Sequence, residues 1–158
     1  MKKLISGLVM GAAALAIVGA ALAQTPPTPL QRAQSAAENR HSLFHVMNAA
    51  FGPAAGMLRG APYDAAATRL AGTRLEVLGG MIKQLTATDT TALVPNTRAK
   101  PNIWSARADF EAKADQFVTA AAALKNAADE ASARRAVQGV AAACKACHDT
   151  YRAEEEHH

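Results

Sequence analysis

Cys144, Cys147 and His148 are the residues of this chain best suited to chemistry. They stand in the run Cys144-Lys145-Ala146-Cys147-His148, the C-x-x-C-H arrangement read as covalent haem attachment. The spacing has a physical reason. Two thiols must reach the two vinyl groups on one edge of a porphyrin while the adjacent imidazole turns to the iron. On a helix the three residues occupy positions i, i+3 and i+4, and so project from one face. A thioredoxin-type dithiol would need a strand–helix setting, and no strand pattern follows residue 23. Zinc would need a fourth ligand, for which His41 and His45 are the candidates. A disulfide between two cysteines this close would shut too small a loop to add much stability. The reading is one haem c bonded through Cys144 and Cys147, with its iron held by His148.

Four helical segments must position this site. The first covers about residues 30–58, where Arg40, Phe44, Met47 and Phe51 recur on one face. Gly52-Pro53 is expected to kink or briefly break it, and Gly60-Ala61-Pro62 to end it. Asp64 is a good N-cap for a second segment reaching about Leu85, with a stripe of Ala71, Leu75, Leu78, Ile82 and Leu85. Residues 86–102 make a connection long enough to be functional or disordered. Ser105 is expected to cap a third segment with the stripe Phe110, Ala114, Phe117, Ala121 and Leu124. The fourth begins near Ala131, after the favourable negative charge of Asp129-Glu130, and carries Val137, Val140 and the C-x-x-C-H run. The prediction is all-α: an antiparallel up-down-up-down four-helix bundle. Aromatic residues make up only 4% of the chain, so the core is thin, and a porphyrin would fill it.

The N-terminus speaks for export. Lys2-Lys3 precede an apolar run that closes on Ala21-Leu22-Ala23, the pattern of a secretory signal peptide cleaved after Ala23. Residues 24–158 then form one domain in the periplasm, with residues 24–29 as a flexible leader and 153–158 as a flexible tail. The C-terminal His157-His158 are read as solvated tail. Without the signal the formal charge is +2, from 15 basic and 13 acidic side chains. There is no basic run, so nucleic acid is excluded as a partner, and no membrane attachment is expected once the signal is removed.

The last helix, from Cys144 through Asp149-Thr150-Tyr151-Arg152, resembles that of cytochrome c′. The likeness extends along most of the exported part. Asn39-Arg40-His41 sits where that family has arginine followed by glutamine, and Gly60-Ala61-Pro62-Tyr63-Asp64 looks like its turn before helix two. Residues 97–105 resemble its approach to helix three. The resemblance implies haem lying against the last helix, Arg40 near a propionate, and Arg152 beside the proximal His148. It also implies His41 and Tyr151 as haem neighbours, and Thr97 and Arg98 near the haem edge. Phe44 takes the place of the apolar side chain that blocks the sixth position, more often leucine or methionine in the family. Five-coordinate high-spin iron binding nitric oxide and carbon monoxide reversibly is therefore expected, as in a nitric-oxide buffer or scavenger. The alternative is a low-spin electron carrier with Met47 as sixth ligand, serving periplasmic electron-transfer proteins. Enzymatic activity is not expected, because a peroxidase needs a distal acid–base residue that the Phe44 face lacks. The resemblance also implies a homodimer.

Overall fold

Helix boundaries follow local sequence chemistry. A computed structural model describes residues 26–154; the predicted signal peptide, residues 24–25 of the leader and residues 155–158 of the tail lie outside them. Helix α1 spans Pro29–Ala55. Pro29 suits the first helical position because its missing N–H has no intrahelical acceptor there. Thr28 and Gln31 close a reciprocal capping box ahead of it. The expected break at Gly52-Pro53 does not occur. The helix runs through Pro53 to Ala55 and then tightens into a 3-10 turn over Gly56–Arg59. Gly52 and Pro53 are exposed, so the Ala49 carbonyl that loses its partner faces water and not the core. Gly60, at φ 89°, ends the turn in the left-handed region that only glycine enters cheaply.

Asp64 caps α2 (Ala65–Gly80), as expected, by accepting from the Ala67 N–H at 2.9 Å. The second segment is interrupted at Met81 and resumes as the short α3 (Ile82–Leu85). A further short helix, α4 (Asn102–Ser105), precedes α5 (Arg107–Lys125). Ser105 therefore ends α4 and does not cap the third long helix; Ala106 precedes α5 with no side-chain cap at all. Asp129 caps α6 (Glu130–Tyr151) in a second capping box with Ser132.

The four long helices α1, α2, α5 and α6 form an antiparallel up-down-up-down four-helix bundle. The predicted stripe of α5 is buried at every position, and Val137 and Val140 of α6 are fully buried. On α2 and α3, Ala71, Leu75 and Ile82 are buried, while Leu78 and Leu85 are only half covered. Helix α2 packs most extensively on α5, whereas among neighbouring long helices α1 and α6 approach each other least. Two glycines explain the first contact. A Cβ at Gly72 would lie 2.2 Å from the Lys125 backbone nitrogen, and one at Gly79 would lie 2.8 Å from the Phe117 ring.

Because the atoms facing Gly72 are backbone, they cannot rotate away. Gly72→Ala should cost about 1–3 kcal/mol by overpacking, despite the better helix propensity of alanine. Urea unfolding followed by far-UV circular dichroism checks this; Gly139→Ala, with open space around the added carbon, should be neutral or slightly stabilising.

Candidate functional site

Helix α6 brings the three residues of the sequence motif to one face, beyond Val137 and Val140. Cys144 and Cys147 are half-buried, reduced and packed against the core. Burial pushes both thiols above their ordinary pKa, with the neighbouring Cys144 adding to the rise at Cys147. They are therefore held as neutral thiols. His148 is exposed at the edge of the same face. Partial desolvation, followed by the positive charges of Arg152 and Arg98, holds its imidazole below the usual value. A lone pair is thus free for a metal at neutral pH.

These residues open on a cavity of about 1240 Å³ between α1, α5, α6 and the 94–99 segment. That exceeds the ~300–1,000 Å³ usual for a small-ligand site. Phe44, Met47 and Phe51 of α1 form one wall, and Cys144, Cys147 and His148 of α6 belong to the other. Leu75, Phe110, Phe117 and Val140 close its depth with apolar surface. His41 and His45 lie at its exposed rim. The volume and walls suit a large, mainly apolar group.

Arg40 supplies the polar contrast. It is 5% exposed, yet it sits inside the predominantly apolar face of α1. Its Nη2 donates to Thr90 Oγ1 at 3.1 Å, and the guanidinium lies 5.5 Å from the centre of the Trp104 ring. Its Nη1 is buried without a hydrogen-bond acceptor among the described residues. Burial lowers the guanidinium pKa, and the charge of Asp89 only partly opposes this. A buried cation with one unsatisfied edge is costly unless an anion joins it. The carboxylate of a tetrapyrrole would fit that edge, so the donor set and cavity suit a haem.

The long connection takes part in the site. Its Thr86 and Thr90 are buried. The Trp104 Nε1–H donates to the Thr86 carbonyl at 3.0 Å, and Arg107 donates to the carbonyls of Thr86 and Lys83. Downstream, the connection clamps the end of α6. Ala99 and Arg152 form an antiparallel bridge, and Lys100 N–H donates to the Tyr151 carbonyl at 3.0 Å. The Asn102 side chain donates to the Thr150 carbonyl, and Arg98 Nε to the Ala153 carbonyl.

Arg152 thus ends the helix in extended backbone and is no longer a helical neighbour of His148, although its N–H still donates to the His148 carbonyl. Ala153 is likewise tied down, donating its N–H to the Arg98 carbonyl, so the predicted loose tail does not begin there. Thr97, Arg98, Tyr151 and Arg152 all line the cavity, as do Arg40, His41 and Phe44.

Sequence reasoning missed Thr90, Trp104 and Asp109. Thr90 is one of several threonines without periodicity, and nothing local marks it as a partner for Arg40. Trp104 is the chain's single tryptophan and could have been singled out on that ground. Asp109 accepts from the Tyr151 hydroxyl at 2.6 Å, while the Phe110 ring meets Tyr151 edge-on at 5.1 Å between centres.

With this geometry, similarity to known proteins acquires a location. The Cytochrome C′ family profile matches residues 35–152, from the first turns of α1 to the end of α6. Cytochrome c′ of Alcaligenes xylosoxydans xylosoxydans is 36% identical over 126 residues, covering 75% of this chain and 94% of that protein. The solved cytochrome c′ from Rhodobacter Spheriodes superposes with a TM-score of 0.71 at 37% identity, over 78% of this chain and 98% of the other. A nitric oxide complex of a mutant cytochrome c prime from Alcaligenes xylosoxidans superposes with a TM-score of 0.69 at 32% identity, over 78% and 97%.

The Tyr151–Asp109 contact generates a pH test. Burial, then the hydrogen bond and charge of Asp109, push the phenol up to about 12, against about 10 in an unfolded chain. Folding therefore favours the neutral phenol. Its contribution is complete below pH ~10 and lost as the pH rises through ~12. Wild type should exceed Tyr151→Phe in stability by roughly 1 kcal/mol at pH 7–9, and the gap should narrow from pH 10 upward. Urea titrations at each pH read it directly; a gap that stays constant to pH 12 refutes the assignment.

Proposed function

The chain belongs to the cytochrome c′ family, and from that premise we propose that it is a periplasmic c-type haem protein that reversibly binds nitric oxide and carbon monoxide. The carrying observation is the aromatic and aliphatic wall that Phe44, Met47 and Phe51 turn toward the cavity, across from the motif on α6. Bound haem supplies an iron that exchanges diatomic ligands. Each neutral thiol of Cys144 and Cys147 brings the sulfur and the hydrogen that addition across one vinyl group consumes. The neutral His148 imidazole would hold the metal from the α6 side, and Arg40 Nη1 would take a propionate. Phe44 offers neither a ligating atom nor a hydrogen-bond donor on the α1 side. With haem bound it would keep water out and offer no protein ligand on that side, the condition for a five-coordinate, high-spin iron.

That environment favours nitric oxide and carbon monoxide over dioxygen, whose binding gains from a donor. A solved relative bound to nitric oxide supports the choice of gas. We read the role as buffering or scavenging and not as catalysis: His41 and His45 lie exposed at the rim, where neither is buried as a distal acid–base group. Export rests on the N-terminal sequence pattern. Among the described residues no helix is long and apolar enough to cross a membrane. A homodimer through α1 and α2 belongs to the same reading, supported by exposed Val46 on α1 and exposed Leu70 and Val77 on α2.

Electron transfer is the second reading. It is favoured by Met47, which is buried and lines the same wall as Phe44, and it would supply a thioether as sixth ligand.

Haem extraction, absorption spectra, gas-association kinetics and unfolding test this reading. The mature protein should carry one haem that resists acid-acetone extraction, and Cys144→Ala with Cys147→Ala should release it; freely extractable haem in the wild type ends the c-type assignment. The absorption spectrum should be high-spin in both oxidation states and unchanged by Met47→Leu. Phe44→Ala should accelerate gas association and cost roughly 3 kcal/mol, the low end for such a truncation because the ring is half-buried. A low-spin wild type made high-spin by Met47→Leu would establish the electron carrier instead.

A further inference from the structure

His41 and His45 stand at the rim of the cavity, and they are also arranged for chemistry of their own. They stand four residues apart on α1, so helical geometry stacks them on one face, one turn above the other. Their rings lie nearly parallel, 16° apart, with centres separated by 6.4 Å. Both are exposed, and neither makes a hydrogen bond within the protein among the described residues. Their nitrogens are therefore available, and two histidines at this spacing on one helix face can reach a single ion. Glu38, one turn earlier, borders the same cavity and adds negative charge nearby. It does not complete a three-ligand set: among the described residues no group of three His, Cys, Asp or Glu could hold a metal.

We propose that His41 and His45 form a surface site for a divalent transition-metal ion, copper(II) above all, at the rim of the cavity. Two imidazoles with water in the remaining positions meet the tetragonal preference of copper(II). They fall short of the four protein ligands that a structural zinc site demands. Copper(II) also stands at the top of the affinity order for divalent first-row ions on nitrogen ligands. The pair sits on a rigid, buried-faced helix, so the backbone is already set before the ion arrives, which limits the entropy lost on binding. The site depends on α1 geometry alone and is independent of which gas or electron the cofactor handles.

The test titrates copper(II) chloride into the haem-loaded mature protein, with His157→Ala and His158→Ala in every sample so that the C-terminal pair does not contribute. Calorimetry should show one copper(II) per chain, and the electron paramagnetic resonance of that ion should carry coupling to two imidazole nitrogens. His41→Ala and His45→Ala should each weaken binding at least about tenfold, since losing even a supporting partner of a metal ligand costs that much. His45→Val combined with Val46→His keeps the composition but moves one imidazole off the shared face, and it should weaken binding equally. Because His41, His45 and Val46 are exposed, their replacement should leave the fold intact. Copper(II) bound as tightly by the shifted-register variant, or by either alanine variant, overturns the proposal, as does coupling to a single nitrogen.

Discussion

Helices α1 and α6 cannot close on each other, and the rest of the molecule is organised around that gap. Alanine fills many of the buried positions, among them Ala50, Ala54, Ala71, Ala114 and Ala121, and offers a methyl group where a denser core would have leucine or phenylalanine. Between α2 and α5 the deficit is met by approach. Gly72 and Gly79 remove even the methyl group, and backbone meets backbone or ring. Between α1 and α6 there is no such pair of glycines. Instead α1 presents Phe44, Met47 and Phe51 across an interval that side chains alone do not span. Protein interiors tolerate few voids, so a sequence that keeps these helices apart must gain something by it. The C-x-x-C-H motif lies on the far wall of the same gap.

Holding the gap at a fixed width falls to the long connection. Its first part anchors to the base of the bundle through Thr86, which receives the Trp104 indole and the Arg107 guanidinium. Its last part, from Arg98 to Asn102, hydrogen-bonds the free carbonyls of the final turn of α6 and beyond. Helix C-termini leave such carbonyls unsatisfied, so the clamp answers a local need of α6 while fixing the turn that carries His148. Tyr151 adds a second tie from that turn to Asp109 near the start of α5. The ligand-bearing end of α6 is thus held from two directions. The arrangement suits a site in which a small displacement of one imidazole would alter the metal's properties.

The bundle, its helix order and the motif face were legible because each rests on local periodicity or on a fixed spacing. The α5 stripe, the cap at Asp64 and the acidic start of α6 follow from the same kind of signal. Ser105 misled because capping residues are common in loops, and the residues before α5 were already committed to α4. Of the kink or break expected at Pro53, the break does not form because the orphaned carbonyl points to solvent, which the sequence does not reveal. Contacts between distant segments were beyond reach. Nothing near Thr90 announces Arg40, fifty residues earlier, and nothing near Asp109 announces Tyr151. The cytochrome c′ resemblance reached Arg98 and Arg152 where periodicity could not, yet it did not reveal the backbone clamp that places them.

Arg40 shows why the fold and the cofactor belong to one argument. Desolvating a guanidinium is expensive, and here the return within the protein is partial: one hydroxyl, one indole face and the distant charge of Asp89. Leucine at this position would pack against the same neighbours without that cost, so stability of the bundle alone does not account for the charge. A carboxylate entering the cavity would convert the unsatisfied Nη1 into a charge-assisted hydrogen bond in a low-dielectric setting, where such bonds are strongest. The apolar walls meanwhile would recover the contacts that their separation forgoes. Both gains exist only when the cavity is filled, and a ligand that binds the folded chain alone stabilises it by that binding free energy. The residues that weaken the bundle as a self-sufficient fold are therefore the same ones that make it selective for a large, flat, anionic group.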